Sequence, residues 1–269
     1  MALDISNYQK EYFNLTTDFE VPQHLDFPIV YENTDFKPKK YVINGHTGDV
    51  LGIVGVNFPS VSHGDFFRNI VDAIVENFGA EDTSQVIPKF TSANNGAVAL
   101  LDITFPNISY TIRTDQHTTN IAQRAILWHG IDGTKSNLGV FGAVDFFCTN
   151  GMITGTYEQV RKKNTSGFNL ANFVEEIKQS HNNFITHAKY LQLMADTNFS
   201  RSQMANIKEL LEPMGMSKRM AKDMYDLSLD EASVRGKNLW ALYTAMTNYR
   251  RHSNNGYKLK DRGNDPRAT

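Results

Sequence analysis

Arg161-Lys162-Lys163 is the densest cationic run of chemical interest in the chain, and Phe168 follows it across Asn164-Thr165-Ser166-Gly167. Three cations in a flexible loop can meet phosphates at successive positions of a polyanion, and a neighbouring ring can stack on an unpaired base. Further cations recur at Lys39 and Lys40 beside the first strand, at Arg113, at Arg201, and at Lys218, Arg219 and Lys222 on a helix. Trp128 is a second ring open to stacking, because it ends a strand beside His129-Gly130. Each cluster has an ordinary alternative as a solvated face. Their shared expectation is a surface able to follow a phosphate backbone.

Other chemistry loses support by omission. The chain has no G-x-x-x-x-G-K-[ST] phosphate loop, no G-x-G-x-x-G fingerprint, no H-E-x-x-H and no G-x-S-x-G elbow. Its histidines, at 24, 46, 63, 117, 129, 181, 187 and 252, are dispersed. His181 and His187 are six apart, which turns them in different directions on a helix. Cys148 is the single cysteine; it excludes an intramolecular disulfide framework and suits a reducing compartment, so a cytoplasmic location is expected. No base accompanies it to make a nucleophile, and a small buried hydrophobe is the simpler reading. No cofactor and no metal are expected, although scattered carboxylates leave a metal-dependent hydrolase open.

Charge is uneven along the 269 residues. The total is −2, yet residues 1–160 carry nine Lys/Arg against 18 Asp/Glu, and residues 161–269 carry 18 against 11. A basic second part can lie along a polyanion, or dock on an acidic partner surface. The start shows no positive region followed by an apolar run, so no secretory leader is expected. Apolar runs are far shorter than the roughly 20 residues a bilayer requires, so no membrane partner is expected.

The elements that must position these residues follow from periodicity. Residues 1–38 read as an irregular segment broken by Pro22, Pro28 and Pro38. Tyr41-Val42-Ile43 and Val50–Val56 flank a Gly-containing turn and read as a hairpin. Phe66, Phe67, Ile70, Val71, Ile74 and Phe78 recur with helical spacing, Ser62 is the natural cap and Gly79 the stop. Strands are expected over Ala97–Phe105, then Ile108–Arg113 after a turn at Pro106-Asn107, and over Gln123–Trp128, Leu138–Cys148 and Met152–Tyr157. The polar run Arg113–Asn120 between strands is a loop able to join a site.

After residue 163 the pattern turns helical. A stripe including Leu170, Phe173, Val174, Ile177, Phe184, Ala188 and Leu191, with His181 on its core side, predicts a long helix at about 169–195. Ser200 and Gln203 form a capping-box pattern. Ser217 can cap a short helix through Met224, and Leu239, Leu242, Tyr243, Met246 and Tyr249 mark a last helix ending near His252. The chain is therefore expected to be α+β: a mainly antiparallel, hairpin-built sheet over 40–160 packed by a long helix, then a helical portion. The corresponding division is an α+β core at 39–196, a helical extension at 197–252 and a polar tail at 253–269.

Three stretches carry a family resemblance. Asp49-Val50-Leu51-Gly52-Ile53-Val54-Gly55 with Phe58-Pro59-Ser60-Val61, Phe147-Cys148-Thr149-Asn150-Gly151-Met152, and Asn238–Thr247 resemble, in order, the phage and plasmid proteins grouped as domain of unknown function 932. The resemblance implies a phage, prophage or plasmid setting in replication and recombination. It names no catalytic residue. A remote likeness to Rad52-type single-strand annealing proteins implies an oligomer on single-stranded DNA; it is an analogy of fold. The leading expectation is therefore non-catalytic single-stranded DNA binding, with annealing, by a homo-oligomer. An interaction protein or inhibitor acting on host or phage proteins is the first alternative, and the hydrolase is the second.

Overall fold

The computed structural model describes residues 12–35, 38–58, 61–145, 158–162, 169, 171–173, 175–176, 179, 183–200, 203, 206, 209 and 216–252. The fold is α+β, with two antiparallel sheets and helices that include the C-terminal ones. Strands β1 (Ile29–Asn33), β2 (Lys39–Asn44) and β3 (Val50–Gly55) form one sheet in that order. Strands β4 (Ile87–Ala93), β5 (Val98–Arg113), β6 (Thr118–Gly130), β7 (Asn137–Asp145) and β8 (Glu158–Lys162) form the second, again in chain order. Consecutive neighbours joined by short turns can pair only antiparallel, because a parallel return needs a long crossover. Helices are α1 (His63–Phe78), α2 (Ala80–Thr83), α3 (Phe184–Asp196), α4 (Lys218–Arg235) and α5 (Leu239–His252).

Contacts divide the chain into two compact units. The first holds Met1–Ile108, Gln123–Gly142 and Thr156–Asn182; the second holds Ser109–Ala122, Ala143–Gly155 and Asn183–Thr269.

In the first unit, α1 forms where its stripe predicts. The Ser62 side chain accepts from the Asp65 amide at 3.0 Å, closing the helix start. Its apolar face buries Phe66, Phe67, Ile70, Val71 and Ile74. That face meets the sheet through Phe67 with Phe90 on β4 (5.7 Å between rings) and Phe78 with Phe105 on β5 (5.1 Å). Phe173, from the 169–195 stripe, is buried and packs on Phe66 at 5.8 Å. Gly52 has its own packing reason: a Cβ there would sit 2.9 Å from Asp132 Cβ.

Three local expectations need correction. The segment read as irregular contributes β1, an edge strand paired with β2 from Ile29↔Asn44 to Asn33↔Lys40. Pro106 does not turn the chain, since β5 runs through it. Pairing with β4 ends at Thr104, so the missing proline N–H leaves no ladder position empty on that side. The helix after Ser217 is 18 residues long rather than short.

Described residues at 171–173, 175–176 and 179 are helical, and α3 follows. His181, Cys148, the Met152–Tyr157 strand, Asn150-Gly151 and the 253–269 tail lie outside the described residues. In the second unit, α4 and α5 pack through small side chains, with Ala221, Met224, Ala232, Ala241 and Ala245 in one buried cluster. Among the described residues, no helix is long and apolar enough to cross a membrane.

Candidate nucleic-acid interface

The cations singled out in the sequence do not all stand free. Lys40 is used by the fold: its Nζ donates to the Phe58 carbonyl at 3.1 Å and lies 3.7 Å from the Tyr31 ring centroid. Lys222 pairs with Asp226 at 2.6 Å, which raises its pKa. Arg161 and Lys162 are on β8, opposite Leu138 and Asn137, rather than in a loop. Lys163, Phe168 and Arg201 lie outside the described residues. Lys39 is exposed on β2. Trp128 is half-buried with Lys135 Nζ 5.9 Å from its ring centroid, so a cation already sits over the ring.

In the second unit, Lys218 and Arg219 are exposed in the first turn of α4, which holds no acidic residue. Cations at a helix N-terminus oppose its dipole, so the helix gains nothing from them there. Ser217 still caps it, accepting from the Met220 amide at 3.2 Å.

Arg113 stands elsewhere in that unit, in a cleft of about 570 Å³. Three stretches line it: Arg113–Gln116 at the β5–β6 turn, Gln192–Phe199 at the end of α3, and Arg235–Asn238 between α4 and α5. Lys218, Arg219 and Lys222 are not part of its lining. The turn is held by Thr114 Oγ1, which accepts from the His117 amide (2.9 Å) and donates to its carbonyl (3.0 Å). Gln192 clamps the Arg113 backbone at both ends: Oε1 accepts from its amide and Nε2 donates to its carbonyl, each at 2.9 Å. The Arg113 side chain is exposed, and no ion pair holds it among the described residues.

Lys237 is fixed in the same way. Its carbonyl accepts from the Phe199 amide at 2.7 Å, and the Leu239 amide donates to the Thr197 carbonyl at 3.0 Å. Asn238 caps α5, its Oδ1 accepting from the Ala241 amide at 2.9 Å. The Lys237 side chain is exposed and likewise without an ion pair among the described residues.

Arg235 behaves differently, being only 2% exposed. Its Nε donates to Glu231 at 2.9 Å, its Nη1 to Thr119 Oγ1 at 2.7 Å, and its guanidinium lies 5.7 Å from the Trp240 ring. It builds the wall rather than presenting charge. Asp115 and Asp196 are the carboxylates in the lining. The lining is therefore polar and charged rather than apolar: two exposed cations on clamped backbone, two carboxylates and several carboxamides.

Sequence reasoning named Arg113 but missed Lys237 and Gln192. Gly236, with φ of 88°, ends α4 between Arg235 and Lys237 and was the available signal. Among the described residues, no group of three His, Cys, Asp or Glu side chains is placed to hold a metal ion.

The first unit holds a second arrangement that sequence spacing did not reveal. His63 and His129 are buried, and their Nδ1 atoms are 2.9 Å apart. His63 Nε2 is 2.8 Å from the Gly96 carbonyl, which can only accept. Nε2 therefore carries the His63 proton, Nδ1 accepts, and His129 donates from its own Nδ1. Burial lowers the His63 pKa to about 4, against smaller opposing effects of Gly96 and Asp132. Burial and the neighbouring His63 push His129 well below the usual histidine range. Phe66 stacks on the His129 ring at 4.2 Å.

Compared with known proteins, the chain matches no family model, no curated protein and no solved structure.

Proposed function

We propose that the chain binds single-stranded DNA without catalysis, the sugar-phosphate backbone following cations of the second unit. One observation carries the reading: Arg113 and Lys237 line one polar cleft, each with its backbone clamped and its charge uncommitted among the described residues. Exposed cations without ion partners meet phosphates without first breaking a salt bridge, and released counterions supply the driving force. Lys218 and Arg219, placed against their own helix dipole, support the same reading. A phage or plasmid setting enters through the family resemblance, annealing by an oligomer through the remote likeness to Rad52-type proteins, and both belong to this proposal.

The test is anisotropy with single- and double-stranded DNA and RNA oligonucleotides over a salt series from about 50 to about 200 mM. Tight, sequence-tolerant binding to single-stranded DNA is expected, with a steep salt slope. Replacing Arg113 and Lys237 together by Ala should lower affinity for every sequence and reduce the log–log slope by about 1 to 2. An unchanged slope removes the cleft from the interface.

A protein partner is the second reading. Ile185, Tyr190 and Leu193 on α3 are 45%, 60% and 61% exposed, an apolar surface that a nucleic-acid backbone does not require. Absence of oligonucleotide binding at low salt, with a stoichiometric protein complex weakened by Tyr190→Ser, would select it.

A further inference from the structure

A different cavity, of about 490 Å³, lies wholly in the first unit. That size suits a small ligand. Among the described residues, its lining carries no Lys or Arg and one carboxylate, Asp49, which already accepts from Thr47 Oγ1 at 2.7 Å. A phosphate would find no counter-charge there. Carboxamides of Gln23, Asn44, Asn94 and Asn95, and the imidazoles of His24 and His46, supply the polar surface instead.

One wall is unusually built. Asn94, Asn95 and Gly96 have φ of 52°, 54° and 84°, a left-handed turn between β4 and β5. Such backbone costs free energy at non-glycine residues, and it persists only where the surroundings impose it. They do so here: the Gly96 carbonyl is held by His63, itself backed by His129, and Asn94 Nδ2 reaches Asp132 at 3.4 Å. Asn44 is also in the lining; its Oδ1 is spent on the backbone amides of His46 and Thr47 at 2.9 and 3.3 Å, which leaves its Nδ2 to donate elsewhere.

A carboxamide presents a donor and an acceptor side by side, the complement of a nucleobase edge, and an imidazole offers a flat face for stacking. We infer that this pocket takes a nucleobase, its phosphate left in solvent, through Asn95, Asn44 and Gln23, with a histidine ring alongside. The base comes from a free nucleoside or from an unstacked residue of a strand. In the second case the inference rests on the single-strand reading above.

The full chain is titrated with the common nucleosides, with ribose alone, and with a single-stranded oligonucleotide, following backbone amide shifts in NMR spectra. Saturable nucleoside binding in the millimolar range or tighter is expected, with little change on adding salt, since no counterion is released. Asn95→Gly keeps the left-handed backbone and removes the side chain, so lost binding cannot be blamed on a refolded turn. It should weaken binding about fivefold, as should His46→Ala.

If nucleosides do not bind but Asn95→Gly weakens the oligonucleotide, the strand supplies the base. No binding by either, ribose binding as well as nucleoside, or affinities unchanged in both variants would each overturn the inference. Arg113→Ala should leave nucleoside binding intact, so an oligonucleotide salt slope that Arg113→Ala does not change counts against the cleft and not the pocket.

Discussion

Acidification should destabilise the first unit through its histidine pair before most carboxylates are titrated. In the folded protein the proton between His63 and His129 is already assigned, and a second one would set two N–H groups against each other at 2.9 Å. The unfolded chain protonates these side chains near 6.5, whereas folded His63 does so at about 4. Below 6.5 the unfolded state therefore binds more protons, and stability falls as pH falls. The contribution is fully present above the unfolded value, is lost progressively between 6.5 and about 4, and declines no further below that.

At about 1.4 kcal/mol per unit, the depression of His63 from 6.5 to about 4 corresponds to about 3 to 4 kcal/mol. His129 adds a loss of the same sign. Three kilocalories are a large share of the ~5–15 kcal/mol that holds a typical protein folded. The assay is urea unfolding at half-unit steps from neutral pH downward, for the natural chain and for His63→Gln, whose amide still offers a donor towards Gly96. The natural chain should lose about 1.4 kcal/mol per pH unit or more near pH 5, and the variant distinctly less. Parallel curves for the two proteins, or a folded His63 that titrates at 6.5 in NMR spectra, would refute the reasoning.

Two further outcomes follow from packing. Arg235→Ala should cost about 3–5 kcal/mol in chemical denaturation, because it leaves Glu231, 14% exposed, without its cation; adding Glu231→Gln should recover part of the loss. Gly52→Ala should cost about 1–3 kcal/mol, since its Cβ would lie 2.9 Å from Asp132 Cβ and 3.0 Å from its Cα, read as a lowered denaturation midpoint.

What the sequence made legible was periodic or capped. The α1 stripe with Ser62 before it and Gly79 behind it was readable because the buried face and both ends lie in one stretch. Ser200 and Gln203 do form the reciprocal pair their spacing predicts, at 2.9 and 3.2 Å. Pro106 misled because a proline disrupts a strand only where a partner needs its N–H, and the end of β4 is not written near Pro106. The cleft was only partly visible for a similar reason. Arg113 and Gln192 are 79 positions apart and meet through hydrogen bonds from the Gln192 carboxamide to the Arg113 backbone, which composition does not encode. His63 and His129, 66 apart, gave no local signal at all.

Net charge is a poor guide to whether such a chain attracts a polyanion. Fields in physiological salt fade over about 8 Å, so a strand senses the charges beside it and not the −2 of the whole molecule. Arg124 is cancelled by Asp102 at 2.5 Å and Arg235 by Glu231 at 2.9 Å, whereas Arg113 and Lys237 keep their charge uncommitted among the described residues. Asp115, exposed in the same cleft, should therefore oppose binding. Asp115→Asn removes that repulsion while keeping shape and hydrogen-bonding capacity. An exposed charge is worth up to about 1 kcal/mol, so single-stranded DNA should bind roughly two- to fivefold tighter, with the gain shrinking as salt is raised. A gain in affinity cannot arise from misfolding, which makes this the sharpest check on the cleft. Unchanged or weaker binding by Asp115→Asn would place the phosphate path elsewhere.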